Sequence, residues 1–215
     1  MTGLGDDDHV LYFNVDGSDA MTGDLDLGSN DIINATIDGD LNTLQDIAWT
    51  SLKERNKTYL LIPEYNNMMI YEDGTSNIAT MSQGEDSVND HQYFVLSSAK
   101  SSLQDLDIIL RIQLPNDFTG WQATPIQIYL KTATTNTADN QIDVSMFDTA
   151  NTSVSLTGAS DLHSTTADTW IENSITFGGA PTWLAGDFVT IKLKLQACSN
   201  NKAYVSEIKL NYKAR

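Results

Sequence analysis

Apolar and polar residues alternate along most of the chain from residue 92 to the C terminus. In FVTIKLKLQA (188–197), for example, apolar residues occupy every second position, with Thr, Lys and Gln between them. Because successive side chains of a strand point to opposite faces, this period of two predicts antiparallel strands with one buried and one wet face. The runs of this kind are residues 92–97, 106–114, 125–133, 141–148, 152–157, 169–177, 188–197 and 203–212. Their spacing predicts an antiparallel β-sandwich of jelly-roll type, with enough residues to bury its own core.

The start of the chain carries a much thinner apolar pattern. Residues 9–15 predict one short strand, and Leu25 and Leu27 alternate with aspartates in the next. Each piece offers few apolar side chains, which cannot offset the entropy lost when the segment becomes ordered. We therefore predict that several copies associate around a shared apolar axis, as an intertwined homotrimer. The candidate interface residues are Leu25, Leu27, Ile32, Ile33, Ile37, Leu41 and Leu44.

Residues 40–53 admit two interpretations. Their apolar residues recur at spacings of three and four behind Asp40, a possible N-cap, which predicts a short amphipathic helix. The alternative is another short strand. Farther along, residues 58–62, 68–71 and 78–82 predict strands, and the polar stretch 83–91 predicts a loop or boundary. We thus divide the chain into an attachment and trimerisation segment (1–53), a connecting β region (54–91) and a C-terminal β-sandwich domain (92–215).

Charge is distributed unevenly over these regions. The 215 residues include 29 Asp and Glu but 12 Lys and Arg, a formal net charge of −17. Residues 1–50 hold 11 acidic and no basic residues, whereas residues 151–215 hold 5 acidic and 6 basic ones. An acidic chain is repelled by phosphates and anionic headgroups, so we predict no nucleic-acid partner. No apolar run is long enough for a spanning helix, so we also predict no membrane insertion.

Groups for catalysis or metal binding are sparse in the sequence. The three histidines lie far apart, and the single cysteine, Cys198, has no visible base partner. Carboxylates two residues apart, such as Asp105 and Asp107, are typical of solvated strand ends. Residues 24–31 crowd oxygen ligands as Ca²⁺ requires, but acidic turns alone explain that pattern. We predict no enzymatic activity, no catalytic residue, no bound metal and no cofactor.

Tryptophans supply the candidate binding residues. Trp121 and Trp183 fall in predicted loops at the ends of the sandwich, where loops often carry function. An indole face there could stack on a sugar ring, so both are candidate glycan-binding residues. The alternative is that both close the open ends of the sandwich as part of its core. Trp170, which opens a predicted strand, is assigned to the core.

One N-terminal string resembles a known segment. GDDDHVLYFNVDGSDAMTGDLDLGSNDI (5–32) is similar to a recurring segment of bacteriophage tail fibre and related virion proteins. The family pattern commonly has a basic residue where this chain has Asp19. The matching positions are Asp7, Asp8, His9, Tyr12, Asp16, Gly17, Ser18, Met21, Thr22, Gly23, Asp24, Leu25, Leu27, Gly28 and Ile32.

This resemblance implies a trimeric segment in the shaft or attachment part of a fibre, bound to another virion protein. We therefore expect a virion structural protein of a tailed bacteriophage, assembled in the host cytoplasm. It would be a trimeric tail fibre or spike whose β-sandwich projects outward and binds host-surface carbohydrate. The alternative is a capsid-decorating or head-fibre protein with a purely structural role.

Overall fold

The computed structural model describes residues 53–63, 68–72, 78–86, 88 and 91–215. These residues form strands connected by turns and loops. The strands are β1 (Arg55–Leu61), β2 (Met68–Tyr71), β3 (Thr80–Asp86), β4 (His91–Ser97), β5 (Gln104–Gln113), β6 (Phe118–Thr132), β7 (Asn140–Phe147), β8 (Ser153–Val154), β9 (Leu156–Thr157), β10 (Ile171–Phe177), β11 (Phe188–Ala197) and β12 (Lys202–Ala214).

The strands make two antiparallel sheets. One is seven-stranded, with the order β3-β4-β12-β6-β10-β9 and with β1 also paired to β12. The other is five-stranded, with the order β2-β5-β11-β7-β8. Strand β6 pairs with both halves of β12, while β4 pairs with residues 202–205 and β1 with residues 208–214. Strands β4 and β1 therefore follow one another along the same edge of β12.

Most successive strands alternate between the two sheets, as in a jelly roll. β4, β6, β10 and β12 belong to the seven-stranded sheet, and β5, β7, β8 and β11 belong to the five-stranded one. Only Ser155 separates β8 from β9, so the chain crosses between the sheets at that edge. The resulting halves, β4-β12-β6-β10 and β5-β11-β7-β8, confirm the predicted antiparallel jelly-roll sandwich.

The core lies between the inner faces of the two sheets. In β11, Val189, Ile191, Leu193 and Leu195 are fully buried, as the alternation predicts. Neighbouring strands place apolar residues in the same register, for example Ile108 of β5 opposite Leu193. Burying each such side chain stabilises the sandwich by about 1.5–3 kcal/mol.

The strands outside the predicted sandwich domain belong to the same two sheets. β1 pairs with β12, β3 with β4 and β2 with β5, so residues of the predicted connecting region extend both sheets. Strand β3 continues to Asp86, into the stretch predicted as a loop. Strand β6 begins at Phe118 rather than at residue 125, because an irregular register against β12 breaks the alternation there.

Several predictions lie outside the described residues. They concern the attachment segment except for its last residue, the helix or strand at 40–53, and the acidic stretch 24–31. The candidate trimer-interface residues, Leu25, Leu27, Ile32, Ile33, Ile37, Leu41 and Leu44, lie there as well.

Candidate functional site

The structure brings Trp121 and Trp183 together at one end of the sandwich. Their ring centroids lie 5.6 Å apart, with the planes at 74°. Phe177, the last residue of β10, lies 5.5 Å from Trp121 and 5.6 Å from Trp183. Phe118, the first residue of β6, lies 5.1 Å from Trp121. We call these four residues the end cluster.

Local chain geometry explains how the end cluster forms. Trp121 lies within β6 and not in the predicted loop, whereas Trp183 lies in the loop between β10 and β11. Trp183 is 7 % exposed and belongs to the core, and Trp121 packs against that core. Edge-to-face ring pairs contribute about 0.5–1.5 kcal/mol each beyond area burial. The structure therefore gives both tryptophans the role of closing this end, while glycan contact stays a prediction.

The end cluster contains two buried indole N–H groups. Nε1 of Trp121 and Nε1 of Trp183 are buried and have no hydrogen-bond partner among the residues that the structure describes. A buried donor without a partner costs about 1–3 kcal/mol. A water molecule or a ligand could supply the acceptor for such a donor.

A cleft of about 380 Å³ opens beside Trp183. Backbone N–H of Thr152 donates to Oδ1 of Asp148 at 2.7 Å, and N–H of Leu184 donates to Oδ2 of Asp187 at 2.8 Å. The second oxygen of each carboxylate has no partner in the described part of the chain. The cleft is lined by Asp148, Thr149, Ala150, Val154, Ser155, Gly179, Ala180, Pro181, Thr182, Trp183 and Asp187. It thus combines an apolar wall with hydroxyls and carboxylates.

Short hydrogen-bonded turns hold the walls of the cleft. The Thr149 hydroxyl accepts from the Phe188 N–H at 3.1 Å and donates to the Phe188 carbonyl at 3.1 Å, which ties the β7–β8 loop to β11. Asn151 and Gly186 adopt positive φ angles of 62° and 82°. Asn tolerates this left-handed conformation and Gly adopts it freely, so the sequence permits both turns.

A second aromatic group lies on the outer face of the seven-stranded sheet, and sequence reasoning missed it. Tyr93 of β4, Tyr129 of β6, Tyr204 of β12 and Trp170 before β10 meet there; we call them the outer aromatic group. Trp170 stacks on Tyr129 at 5.5 Å and 6°, and lies 5.9 Å from Tyr93 and 6.1 Å from Tyr204. Trp170 is only partly buried, so its assignment to the core was wrong.

Charged groups surround the outer aromatic group. Nε1 of Trp170 donates to Oδ2 of Asp86 at 2.7 Å, across the face of the sheet. Lys131 Nζ lies 4.5 Å from the Tyr204 ring centre and 3.3 Å from Asp168 Oδ1. Burial, followed by the negative charge of Asp168, raises the pKa of Tyr204 above its ordinary value. These contacts hold Trp170 over the sheet.

The remaining polar candidates have structural surroundings. Asp107 is fully buried beside Lys192, which contradicts the prediction of a solvated strand end, and Asp105 lies 2.8 Å from Lys194. Cys198 is buried. No group of three or more His, Cys, Asp or Glu side chains in the described ranges could hold a metal ion. Within those ranges, no helix is long and apolar enough to cross a membrane.

Comparisons with known proteins find likeness only among solved structures. No family model and no curated protein matches the chain. The enzymatically active domain of tailspike protein 4 of bacteriophage CBA120 has a TM-score of 0.44 and 17 % identity; the match covers 67 % of this chain and 19 % of that chain. The arabinose-bound α-L-arabinofuranosidase MgGH51 has a TM-score of 0.41 and 8 % identity, covering 68 % and 23 %.

A third solved structure is TmCBM61 in complex with β-1,4-galactotriose, with a TM-score of 0.34 and 7 % identity. The match covers 70 % of this chain and 90 % of that chain. In contrast, the chain spans less than a quarter of the length of the tailspike domain and of the arabinofuranosidase. Likenesses at this level concern the arrangement of strands and give no information on function.

Proposed function

We propose that the chain is a structural protein of a tailed-phage virion whose sandwich binds host-surface glycans in the cleft beside Trp183. The observation that carries this proposal is the buried, unpartnered indole N–H of Trp183 in a cleft that also contains acceptor oxygens. Support for the virion comes from the sequence resemblance of residues 5–32. The N-terminal segment would bind another virion protein.

The chemistry of the cleft suits a sugar. A sugar ring has apolar C–H faces and a rim of hydroxyls, so its site needs an apolar wall and a few fixed polar groups. Pro181 and Trp183 provide the wall, while Asp148 and Asp187 each have one carboxylate oxygen available to accept a hydroxyl proton. A sugar hydroxyl that reaches the indole N–H would relieve its missing hydrogen bond.

Association into a homotrimer is the second part of the proposal. Leu60, Met69 and Ile78, in and near the early strands, are 53 %, 54 % and 56 % exposed. Contact between copies would remove these apolar side chains from water, which favours association. Three copies would present three weak sites at high effective concentration, which raises the avidity for a polyvalent cell surface. Light scattering of the full chain should give three protomer masses, and a stable monomer would contradict the trimer.

Trp183→Phe tests the cleft directly. The variant keeps an aromatic ring in the end cluster but removes the indole N–H, so binding of the full chain to host envelope polysaccharide should weaken at least tenfold. Tyr71→Phe, an exposed position on β2, is the control and should bind like the parent. Circular dichroism checks that both fold. Unchanged binding by folded Trp183→Phe would refute the cleft as the binding site.

A second candidate function is purely structural, as a capsid-decorating or head-fibre protein. The observation that favours it is the tight packing of Trp183, which leaves only 7 % of the residue exposed. An N-terminal truncation separates the two functions: a decoration protein would lose its affinity for capsids, whereas an isolated glycan-binding sandwich would still bind cells. In both functions we propose that the chain binds its partner without catalysis. Release of new reducing ends from bound polysaccharide would contradict this absence of catalysis.

A further inference from the structure

We infer that the outer face of the seven-stranded sheet is a second carbohydrate-binding surface, suited to an extended, uncharged polysaccharide chain. The surface joins the outer aromatic group at one end to a polar groove at the other, and we call it the outer lane. It lies on a sheet face and shares no lining residue with the cleft beside Trp183. The inference therefore goes beyond the proposed function and does not depend on it.

The groove at the polar end measures about 530 Å³. It crosses β1, β12, β6 and β10 and is built largely from amide and hydroxyl side chains. Amides and hydroxyls are neutral groups that both donate and accept hydrogen bonds, as sugar hydroxyls do. The lining residues are Asn56, Gln122, Ala123, Thr124, Gln127, Ser174, Asn211 and Lys213.

Hydrogen bonds within the groove fix its amides in place. Asn211 is buried; its Nδ2 donates to the Thr124 carbonyl and to Gln127 Oε1, both at 2.9 Å, and its Oδ1 accepts from the Thr58 hydroxyl at 2.7 Å. Nε2 of Gln122 donates to two backbone carbonyls, at 2.9 and 3.0 Å. Because both hydrogen bonds of Gln122 are made by its Nε2, they also fix the orientation of its amide oxygen. A ligand would therefore meet an acceptor that is already oriented.

Alternation along β6 makes the two ends one continuous surface. Ile126, Ile128 and Leu130 are fully buried, so Gln127, Tyr129 and Lys131 share the outer face. Gln127 belongs to the groove and Tyr129 to the outer aromatic group, only two residues or about 7 Å apart. Along β12, the lane runs from Tyr204 to Asn211, roughly 20 Å at about 3.3 Å per residue. A surface of this length fits a chain of sugars better than a single one.

The charges on the lane favour an uncharged ligand. Lys131 lies 3.3 Å from Asp168, Lys209 hydrogen-bonds to Glu172, and Lys213 lies 3.6 Å from Glu54. Each of these lysines therefore has a carboxylate beside it, so the described residues of the lane offer no cluster of unpaired cations to an anionic polysaccharide. The net charge of −17 adds a repulsive field against polyanions.

The test uses the full chain and follows the tryptophan indole N–H signals by NMR. The probes are uncharged hexasaccharides of β-1,4-linked glucose, mannose and galactose. We expect at least one of them to shift the Trp170 signal in a saturable way. Tyr129→Ala and Ser174→Gln should each weaken that binding at least tenfold, the first by removing a ring and the second by filling the groove at an exposed position. Tyr71 lies outside the lane, so Tyr71→Ala is the control and should leave the binding of the hexasaccharide unchanged.

Each outcome decides one question. The lane is refuted if no uncharged probe shifts the Trp170 signal, or if folded Ser174→Gln binds like the parent. A probe that shifts only the Trp183 signal would support the cleft and refute the lane. Binding that persists in Trp183→Phe but disappears in Ser174→Gln would support the lane and contradict the proposed function. Should Tyr129→Ala fail to fold, Ser174→Gln still gives a decision.

Discussion

Asp107 and Lys192 offer the sharpest test of the energetics of this fold. The Asp107 carboxylate points away from the core yet is fully buried, and Lys192 Nζ lies 2.5 Å from its Oδ2. Apart from this ion pair, neither carboxylate oxygen has a hydrogen-bond partner among the described residues. Lys192 is therefore the nearest group that compensates the buried negative charge.

The size of the effect follows from this geometry. At an effective dielectric constant of about 20, two unit charges at this distance attract by roughly 7 kcal/mol, most of which offsets the cost of removing the carboxylate from water. Lys192→Met keeps the aliphatic stem but leaves the buried charge without its nearest cation, a change that typically costs about 3–5 kcal/mol. We expect about 3 kcal/mol, because Lys194 lies opposite Asp107 in the β5–β11 ladder and supplies a second positive charge.

Urea unfolding of the full chain at neutral pH measures this loss. Lys194→Met is the comparison variant: the side chain of its partner Asp105 is 27 % exposed, whereas the side chain of Asp107 is fully buried, so removing the Lys194 charge should cost less than removing the Lys192 charge. Asp107→Leu combined with Lys192→Met removes both charges and should return to within about 1 kcal/mol of the parent. If Lys192→Met costs no more than Lys194→Met, the reasoning is refuted.

Three further predictions concern the outer aromatic group. Gly84→Ala should cost about 1–2 kcal/mol in urea unfolding, because the new Cβ would lie 2.6 Å from the Tyr93 hydroxyl oxygen and would displace that ring; an unchanged midpoint would contradict this packing. Trp170→Phe should cost about 1.5 kcal/mol through loss of the hydrogen bond to Asp86, and equal stability of variant and parent would argue against that bond. The Tyr204 pKa is raised above its ordinary 10.0, so the stabilisation that Tyr204 provides is complete below pH 10 and declines as pH rises through the folded pKa. The parent should therefore lose stability more steeply than Tyr204→Phe above pH 10, and parallel pH profiles would count against the shift.

Much of the sandwich could be predicted because alternation is a local property of each strand. The predicted run at 188–197 coincides with β11, since its alternation continues without interruption, and the apolar run 68–71 coincides with β2. The first part of β6 could not be predicted, because its register against β12 shifts and the pattern of buried positions breaks. The end cluster depends on a different kind of information: Trp121 and Trp183 meet only because β6 pairs with β10 and the following loop folds back over Trp121.

The same alternation also identifies which residues lie on the outer face of the sheet, as the outer aromatic group shows. In the run from Trp170 to Phe177, Ile175 is buried and Glu172 is exposed, so the even-numbered positions, Trp170 included, belong to the outer face. Tyr129, between buried Ile128 and Leu130, also lies on an outer position of its strand. A large aromatic residue on the polar side of an alternating strand gains nothing from the core. Several such residues on different strands therefore indicate a surface group once the strand order is known. Strand order is the part that sequence alone could not supply, because it depends on which of many antiparallel pairings the chain adopts.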